Sequence, residues 1–286
     1  MLGGLLNEPR GRTMDWGLQN RVARMFPTQS GNTVMLAVDH GYFMGPTRRL
    51  ENARATIAPL LPHADALALT RGILRTSVPP STSTPIVLRV SGGATVLKDD
   101  LSDEAVTTSM TEALRLNVSA VALSVFVGSP HEHESLVHLS ELVDDGEELG
   151  MPVMAITAVG KELEKRDARY LALACRVSAE LGAHLVKTYF CEDFEKVVEG
   201  CPVPLVVAGG PKLDSDQAAL ELAHHAIAAG AHGIDMGRNI WQSDHPVAML
   251  KGLRAIVHEN ATVLEAMEVL EGEKRRTTNP LRAASA

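Results

Sequence analysis

Eight short runs of β-branched or apolar residues alternate with helix-like stretches through most of the 286-residue chain. Most of these runs are nearly continuous in apolar residues, which is typical of parallel strands that are buried on both faces. Eight strand–helix units favour a (β/α)8 barrel, or TIM barrel, over a doubly wound open sheet, which usually has fewer strands. The runs are TVMLAVD (33–39), ADALALT (64–70), PIVLRV (85–90), AVALSVFVG (120–128), PVMAITAV (152–159), HLVKTYF (184–190), PLVVAGG (204–210) and GIDMGRN (233–239).

Amphipathic segments between the runs predict the helices of an α/β fold. Residues 101–117 predict a helix with Ser102 as its N-cap. Residues 165–182 and 215–230 predict two more helices, which end at Gly182 and Gly230. The intervals between the second and third runs and between the sixth and seventh runs are short, so the helices there must be short.

No linker divides the chain, and we expect a single barrel domain over residues 33–271. Residues 1–32 predict an N-terminal extension with a helix around DWGLQNRVARMF, and residues 272–286 predict a polar, mobile C-terminal tail.

Composition excludes several classes of protein. The net charge of −8 does not indicate a basic nucleic-acid surface, and aromatic residues make up only 3% of the chain. No apolar run approaches the roughly 20 residues that span a bilayer, and the N-terminus lacks the pattern of a secretory signal. The three cysteines, Cys175, Cys191 and Cys201, are odd in number and lack C-x-x-C spacing, so neither a disulfide framework nor a zinc site is expected. We expect a cytoplasmic enzyme or binding protein.

Lys187 lies inside the sixth run, where its neighbours are apolar. In a barrel the chemistry is located at the carboxyl ends of the strands. Burial among apolar residues should lower the pKa of this amine from its ordinary value of ~10.4, and a neutral amine can attack a carbonyl to form a Schiff base. The alternative is a lysine at an exposed strand end that pairs with a carboxylate.

The seventh and eighth runs end in glycines that favour phosphate binding. Gly209 and Gly210 follow the seventh run, and Gly237 and Arg238 follow the eighth. Glycine lets backbone N–H groups approach an anion closely, and the loops after these two strands form the usual phosphate site of barrel enzymes. The alternative is that the glycines only make tight turns.

Polar residues also end the first three runs. Asp39 can shuttle a proton or hold Lys187, and His40 can titrate near neutral pH. Alternatively, Asp39 caps a helix and His40 is solvated. Arg71 and Arg89 end the second and third runs and are weaker candidates, because each can instead form an ion pair at the barrel rim.

Other motifs with known chemistry are missing. The sequence contains neither a G-x-G-x-x-G after a strand nor a G-x-x-x-x-G-K-[ST] loop. The sequence HEHE at 131–134 differs from H-E-x-x-H and reads as a solvated loop or helix start, so no metal site is expected. We expect a surface pair for His224 and His225 and a small buried filler for Cys191.

Together the motifs resemble the class I, Schiff-base aldolase family of (β/α)8 barrels. The resemblance runs from about Asp15 to about His258. It is carried by DWGLQ, VMLAVDHGYF, TRGILR, VPP, VGKE, KTY, CPVPLVVAGG, DMGRNI and QSDHPVAM. It implies that Lys187 is the Schiff-base lysine, that Asp39 is the acidic residue of the first strand end, and that the four residues of the seventh and eighth strand ends hold a substrate phosphate.

Within this family the chain is most similar to a thiolase branch that degrades phosphorylated autoinducer-2. Related sugar-phosphate aldolases carry a tyrosine acid near the end of strand five, whereas this chain reads AITAVGKEL there. The resemblance implies a phosphorylated diketone as substrate, coenzyme A as co-substrate, no bound cofactor and a homo-oligomer. The alternatives are a class I sugar-phosphate aldolase of the fructose-bisphosphate type, an amino-dideoxy-heptulosonate synthase, and a non-catalytic phosphosugar-binding barrel.

Overall fold

A computed structural model of the chain describes residues 15–27, 29–158 and 167–278. Eight parallel strands close into a barrel, and all eight predicted strands are confirmed. In chain order the barrel strands are β1 (Thr33–Ala37), β2 (Ala66–Thr70), β3 (Ile86–Arg89), β4 (Ala120–Val125), β5 (Val153–Thr157), β6 (Leu185–Tyr189), β7 (Leu205–Ala208) and β8 (Gly233–Met236). Each strand pairs with its neighbours in the chain, and β8 pairs with β1 to close the barrel. The predicted TIM barrel is therefore confirmed.

Helices follow the strands, as an α/β barrel requires. They are α1 (Trp16–Met25), α2 (Gly41–Met44), α3 (Ala53–Ile57), α4 (Arg71–Ser77), α5 (Met110–Arg115), α6 (Glu132–Leu149), α7 (Ala168–Glu180), α8 (Phe194–Gly200), α9 (Asp216–Ala228), α10 (Arg238–Trp241), α11 (Pro246–Glu259) and α12 (Val263–Thr278). The seven-residue helices α4 and α8 occupy the two intervals that were expected to hold short helices. Gly182 and Gly230 follow α7 and α9 with φ values of +93° and +100°, so both predicted helix ends are confirmed. None of the helices within the described ranges is long and apolar enough to cross a membrane.

The segment 101–117 differs from its prediction. The helix α5 begins only at Met110, and its N-cap is Ser109 rather than Ser102. Upstream, residues Ala105–Val106 pair antiparallel with Ser91–Gly92 as a short ribbon. The carboxylate of Glu104 is drawn from this segment into the barrel, where it lies 3.1 Å from an Arg89 nitrogen. The buried ion pair outweighs the helical propensity of these residues.

The C-terminal boundary also differs. The helix α12 continues to Thr278, so the predicted polar tail is wrong for residues 272–278. Lys251 Nζ lies 2.7 Å from a Glu273 carboxylate oxygen and ties this helix to α11. Residues 279–286 of the predicted tail lie outside the described residues. At the other end, α1 confirms the helix that was expected around DWGLQNRVARMF, and residues 1–14 are not described.

Apolar side chains fill the barrel from its N-terminal end. Met25 and Phe26, at the end of α1 and just beyond it, are buried against inward-facing residues such as Met35 and Leu185. Each large apolar side chain that is buried in this way stabilises the fold by roughly 1.5–3 kcal/mol. A second, larger core lies between the strands and the helices.

The inward-facing side chains change from apolar to polar or charged toward the carboxyl ends of the strands. Successive side chains of a strand point to opposite faces, so Leu185, Lys187 and Tyr189 of β6 all point inward. The same alternation places Arg89 above Val87 on β3. The floor of the barrel is therefore apolar and its mouth is polar and charged.

Candidate active site

The mouth of the barrel holds one cavity that brings the predicted site residues together. Strand ends from both halves of the chain contribute to it, since all the carboxyl ends of a parallel barrel lie at the same end. The predicted residues that line this cavity are Lys187, Asp39, His40, Gly209, Gly210, Gly237 and Arg238.

The Lys187 side chain, 11% exposed, extends from β6 toward β8. Its Nζ lies 2.7 Å from Oδ2 of Asp235. Burial favours the neutral amine, but the carboxylates of Asp235 and Asp39 outweigh burial and raise the pKa of Lys187. The predicted lowering of this pKa is therefore wrong, because the two carboxylates that raise it belong to segments that are distant from Lys187 in the sequence. The free protein holds this lysine as an ammonium ion.

Asp235 is a residue of this site that the sequence did not lead us to predict. Its side chain is fully buried on β8, and burial raises the pKa of its carboxyl, while Lys187 opposes the rise. A carboxylate of raised pKa beside an ammonium group is a base that can accept a proton from it. The signal was available, because Asp235 interrupts the apolar run GIDM as Lys187 interrupts HLVKTYF.

Asp39 lies just after β1, the strand that pairs with β8, so in the order of the strands it follows Asp235 on the same side of the lysine. Its Oδ2 is 3.3 Å from Arg89 Nη1 and its Oδ1 is 3.6 Å from His40 Nδ1. Burial would raise the pKa of Asp39, but the positive charges of Arg89 and Lys187 outweigh it and lower that pKa. Asp39 is consequently an ionised carboxylate that adds negative charge beside Lys187 without an ion pair to it.

His40 lines the cavity next to the ends of β1 and β8. Burial lowers the pKa of its imidazole to about 4, and the charges of Lys187 and Arg238 contribute in the same direction. The prediction that His40 titrates near neutral pH is therefore wrong, since its low solvent access was not visible in the sequence. The ring packs edge-on against Trp241, with the ring centres 5.5 Å apart. At neutral pH His40 is an uncharged donor and acceptor.

The loops after β7 and β8 are held together by Asn239. Its Nδ2 donates to the carbonyl of Gly209 at 2.8 Å, and its Oδ1 accepts from the Leu213 N–H at 2.8 Å. Gly210 has a φ of +66°, which favours glycine. At Gly237 an added Cβ would lie 2.5 Å from the Ala37 carbonyl oxygen, so no side chain fits there.

Because Gly209, Gly210 and Gly237 carry no side chains, the backbone faces the cavity at the ends of β7 and β8. Arg238 follows directly as the first residue of α10 and also lines the cavity. An arginine beside exposed backbone at these two strand ends suits a phosphate group.

A buried polar network lies across the cavity from these loops. Arg89, at the end of β3, contacts Glu104 and donates a hydrogen bond to the Ser124 hydroxyl. Its guanidinium carbon lies 3.9 Å from the centre of the Tyr42 ring, and the Tyr42 hydroxyl donates to Glu104 at 2.7 Å. Arg89, expected either as a weaker site residue or as a rim ion pair, belongs to the cavity wall. Arg71 is exposed and lies outside this cavity.

Two tyrosines line the cavity although strand five carries none. Tyr189 follows Lys187 by two residues on the same face of β6, and Tyr42 lies on α2. The sequence reasoning considered only strand five and missed both, although the period of two along β6 would have identified Tyr189. Tyr42 already donates its hydroxyl proton to Glu104, and burial raises its pKa, so Tyr189 is the phenol that could serve as a proton donor.

Other expectations concern residues outside the cavity. His131 directly precedes α6, as expected for a helix start, and Cys191 is buried in the outer core, so the prediction of a buried filler is confirmed. Within the ranges that the structure describes, no group of three or more His, Cys, Asp or Glu side chains could hold a metal ion.

Comparison with known proteins places this cavity in a family. The model of the DeoC/LacD family aldolases matches residues 33–243. The 3-hydroxy-5-phosphonooxypentane-2,4-dione thiolase of Escherichia coli (strain K12) is 54% identical over 92% of this chain and 89% of that protein. The protein of the same name from Photorhabdus laumondii subsp. laumondii is 52% identical over 92% of this chain and 89% of that protein.

Solved structures agree with the fold. The crystal structure of an archaeal fructose 1,6-bisphosphate aldolase has a TM-score of 0.76 and 27% identity, and covers 85% of this chain and 99% of that chain. The structure of a Schiff base-forming fructose-1,6-bisphosphate aldolase has a TM-score of 0.76 and 26% identity, and covers 84% of this chain and 99% of that chain.

Proposed function

The chain belongs to the DeoC/LacD aldolase family, and from this we propose that it is a thiolase that cleaves 3-hydroxy-2,4-pentanedione 5-phosphate with coenzyme A. The products are acetyl-coenzyme A and dihydroxyacetone phosphate. The observation that carries the proposal is the 54% identity, over 92% of the chain, to a curated thiolase whose name states this diketone. The reaction would be a step in the degradation of phosphorylated autoinducer-2, a quorum-sensing signal, in the cytoplasm.

The first chemical step is the formation of an imine on Lys187. An ammonium ion cannot attack a carbonyl, so Lys187 must first lose a proton. Asp235 is the base of choice for this step, because its carboxylate oxygen is 2.7 Å from Nζ. The amine then adds to the keto carbon next to the phosphate-bearing carbon, and loss of water gives the imine. Once protonated, this iminium is stabilised by the negative charges of Asp235 and Asp39.

The substrate phosphate supplies the binding energy that orients the diketone. We assign its binding to the backbone of Gly209, Gly210 and Gly237 and to the guanidinium of Arg238. These residues line the same cavity as Lys187. Binding energy from a remote phosphate holds the reacting carbon over the amine, and such positioning can supply several kcal/mol of the barrier.

The second step is a retro-Claisen cleavage. The thiolate of coenzyme A attacks the acetyl carbonyl and forms the new carbon–sulfur bond. The bond between the acetyl carbon and the hydroxyl-bearing carbon then breaks, and its electron pair moves into the iminium to give an enamine. Protonation of the enamine and hydrolysis of the imine release dihydroxyacetone phosphate and free Lys187. Asp39 and the neutral His40 are the groups that we propose for these proton transfers.

The second candidate is a class I aldolase that acts on a sugar phosphate. The observation that favours it is the presence of Tyr189 in the cavity, two residues after Lys187, since an aldolase needs an acid and a base at the carbon that becomes an aldehyde. An amino-dideoxy-heptulosonate synthase would use the same lysine and phosphate loops. A non-catalytic phosphosugar-binding barrel would need only the loops.

One assay separates these candidates. The purified protein is incubated with the phosphorylated pentanedione with and without coenzyme A, and acetyl-coenzyme A and dihydroxyacetone phosphate are measured. The thiolase forms both products only when coenzyme A is present. Dihydroxyacetone phosphate without coenzyme A would favour the aldolase, and the absence of a borohydride-trapped imine would favour the binding protein.

Lys187 is tested in the same assay. We expect Lys187→Ala to abolish turnover and imine trapping, since no other group in the proposal forms the covalent intermediate. Cysteine substitutions are the matched controls, because the attacking thiol is external, and we expect turnover to persist in the single alanine variants of Cys175, Cys191 and Cys201. Full activity of Lys187→Ala would overturn the mechanism.

A further inference from the structure

A second cavity adjoins the first at the ends of β2 and β3. Tyr42 and Arg89 line both cavities, so their stacked side chains form the boundary between the two. The second cavity is also lined by Thr70, Arg71, Thr108 and the backbone of Gly92. Nothing in the chemistry proposed so far uses this space.

The way in which the diketone would lie across the barrel mouth gives the second cavity a role. The phosphate loops follow β7 and β8, whereas β3 lies on the opposite wall, since three strands lie between β3 and β7 in either direction around the closed barrel. With its phosphate at those loops and its imine carbon on Lys187, the diketone extends toward Arg89. Its acetyl carbonyl, two carbons beyond the imine, therefore lies beside the boundary with the second cavity.

We propose that the second cavity admits the pantetheine arm of coenzyme A, so that the thiol reaches the acetyl carbonyl from the β2–β3 side. This inference rests on the proposed thiolase function. The arm carries two amides, which need hydrogen-bond donors and acceptors on both sides. Hydroxyl groups of Thr70 and Thr108 and the peptide groups around Gly92 supply a polar wall of this kind.

Arg71 contributes charge at the outer end of this cavity. It is exposed, and its guanidinium has no hydrogen-bond or ion-pair partner among the residues that the structure describes. Arg75, one turn further along α4, differs because it pairs with Glu112. An arginine without a carboxylate partner suits the diphosphate of coenzyme A. Arg71, the weaker site candidate of the sequence, thus belongs to the co-substrate rather than to the diketone.

The test measures KM for coenzyme A and for pantetheine, which lacks the diphosphate. We expect Arg71→Ala to raise KM for coenzyme A about tenfold or more, the usual effect of losing a hydrogen bond to a charged group, and to leave KM for pantetheine nearly unchanged. Thr70→Phe narrows the cavity and should raise KM for both thiols. Arg75→Ala on the same helix is the matched control and should change neither.

Imine trapping without coenzyme A completes the experiment. Yields equal to wild type in Arg71→Ala and Thr70→Phe would show that both variants fold and bind the diketone. The inference is overturned if KM for coenzyme A stays within about twofold of wild type in both variants, or if trapping falls in parallel with activity. If the wild-type protein forms no acetyl-coenzyme A at all, the proposed function fails and this inference fails with it, whereas unchanged variants of an active thiolase refute the cavity assignment alone.

Discussion

The buried pair of Lys187 and Asp235 makes a quantitative prediction about stability. The two charged atoms are 2.7 Å apart, and both side chains are buried. Removing one partner leaves the other charge without its main compensation, which typically costs about 3–5 kcal/mol in a protein interior. The conservative variants are Asp235→Asn, which keeps the shape of the side chain, and Lys187→Met, which keeps most of its length.

The orphaned group limits this cost because it can change its protonation state. Neutralising Lys187 at pH 7 from an ordinary pKa of ~10.4 costs about 4.6 kcal/mol, and protonating Asp235 from ~3.9 costs about 4.2 kcal/mol, at 1.36 kcal/mol per pH unit. Each figure is the upper limit of the electrostatic loss, because the group becomes neutral only where keeping its charge would cost more. We therefore expect each single variant to lose about 3–4 kcal/mol of unfolding free energy at pH 7. The double variant should lose much less than the sum, because the two residues compensate each other.

The two single variants should respond to pH in opposite directions. In Asp235→Asn, Lys187 is neutral when folded and protonated when unfolded, so the unfolded state binds more protons and stability recovers as pH rises from 7 toward 9. In Lys187→Met, Asp235 is protonated when folded and ionised when unfolded, so stability recovers as pH falls from 7 toward 5. Each recovery should reach at most about 1.4 kcal/mol per pH unit.

The assay is urea unfolding followed by far-ultraviolet circular dichroism, with the emission of the buried Trp241 as a second probe. Losses below about 1 kcal/mol in both single variants would refute the reasoning. Additive losses in the double variant, or pH slopes of the same sign in the two single variants, would also refute it, because each would mean that the two charges do not compensate each other.

Other contacts of the structure can be tested in the same way. Arg238→Ala should mainly raise KM for the phosphorylated diketone, about tenfold, with a smaller fall in kcat because the phosphate also orients the substrate, and an unchanged KM in steady-state kinetics would count against its phosphate role. Since burial lowers the pKa of His40 to about 4, His40→Asn should keep the shape of the kcat/KM profile between pH 5 and 8; loss of a limb there would contradict this. Burial would raise the pKa of Asp65, but hydrogen bonds from His258 and Arg254 outweigh it and lower that pKa. The ionised carboxylate therefore stabilises the fold fully above pH ~4, and this stabilisation is lost as pH falls below that value. The stability difference between wild type and Asp65→Asn in urea unfolding should therefore narrow on acidification, and a difference that is constant down to pH 3 would refute it.

Local features of the sequence predicted the barrel and half of the site. Apolar runs identify parallel strands without reference to their partners, and Lys187 and the glycines of the strand ends are visible inside or next to those runs. The rule that barrel chemistry occurs at the carboxyl ends of strands then brought distant residues to one cavity. These predictions succeeded because each depends on a single segment.

The other half of the site depends on contacts between segments. Asp235 and Glu104 acquire their roles only when the closed barrel places them beside Lys187 and Arg89, 48 and 15 residues away in the sequence. The direction of the Lys187 pKa was wrong for the same reason, since its strand is apolar and its charged neighbours belong to other strands. The helix that was expected at Ser102 was wrong because a long-range ion pair outweighs local propensity.

The raised pKa of Lys187 is compatible with Schiff-base chemistry and explains how the base is provided. An apolar pocket would keep the amine neutral, but it would also destabilise the iminium on which the cleavage depends. Here the carboxylate that raises the pKa of Lys187 also lies close enough to take its proton, at 2.7 Å, and burial raises the affinity of Asp235 for that proton. In the proposed mechanism the positive charge returns to the same nitrogen when the iminium forms, and the carboxylates of Asp235 and Asp39 would then stabilise it. In that mechanism the pair would support both the attack of the amine on the carbonyl and the electron sink, which desolvation alone cannot do.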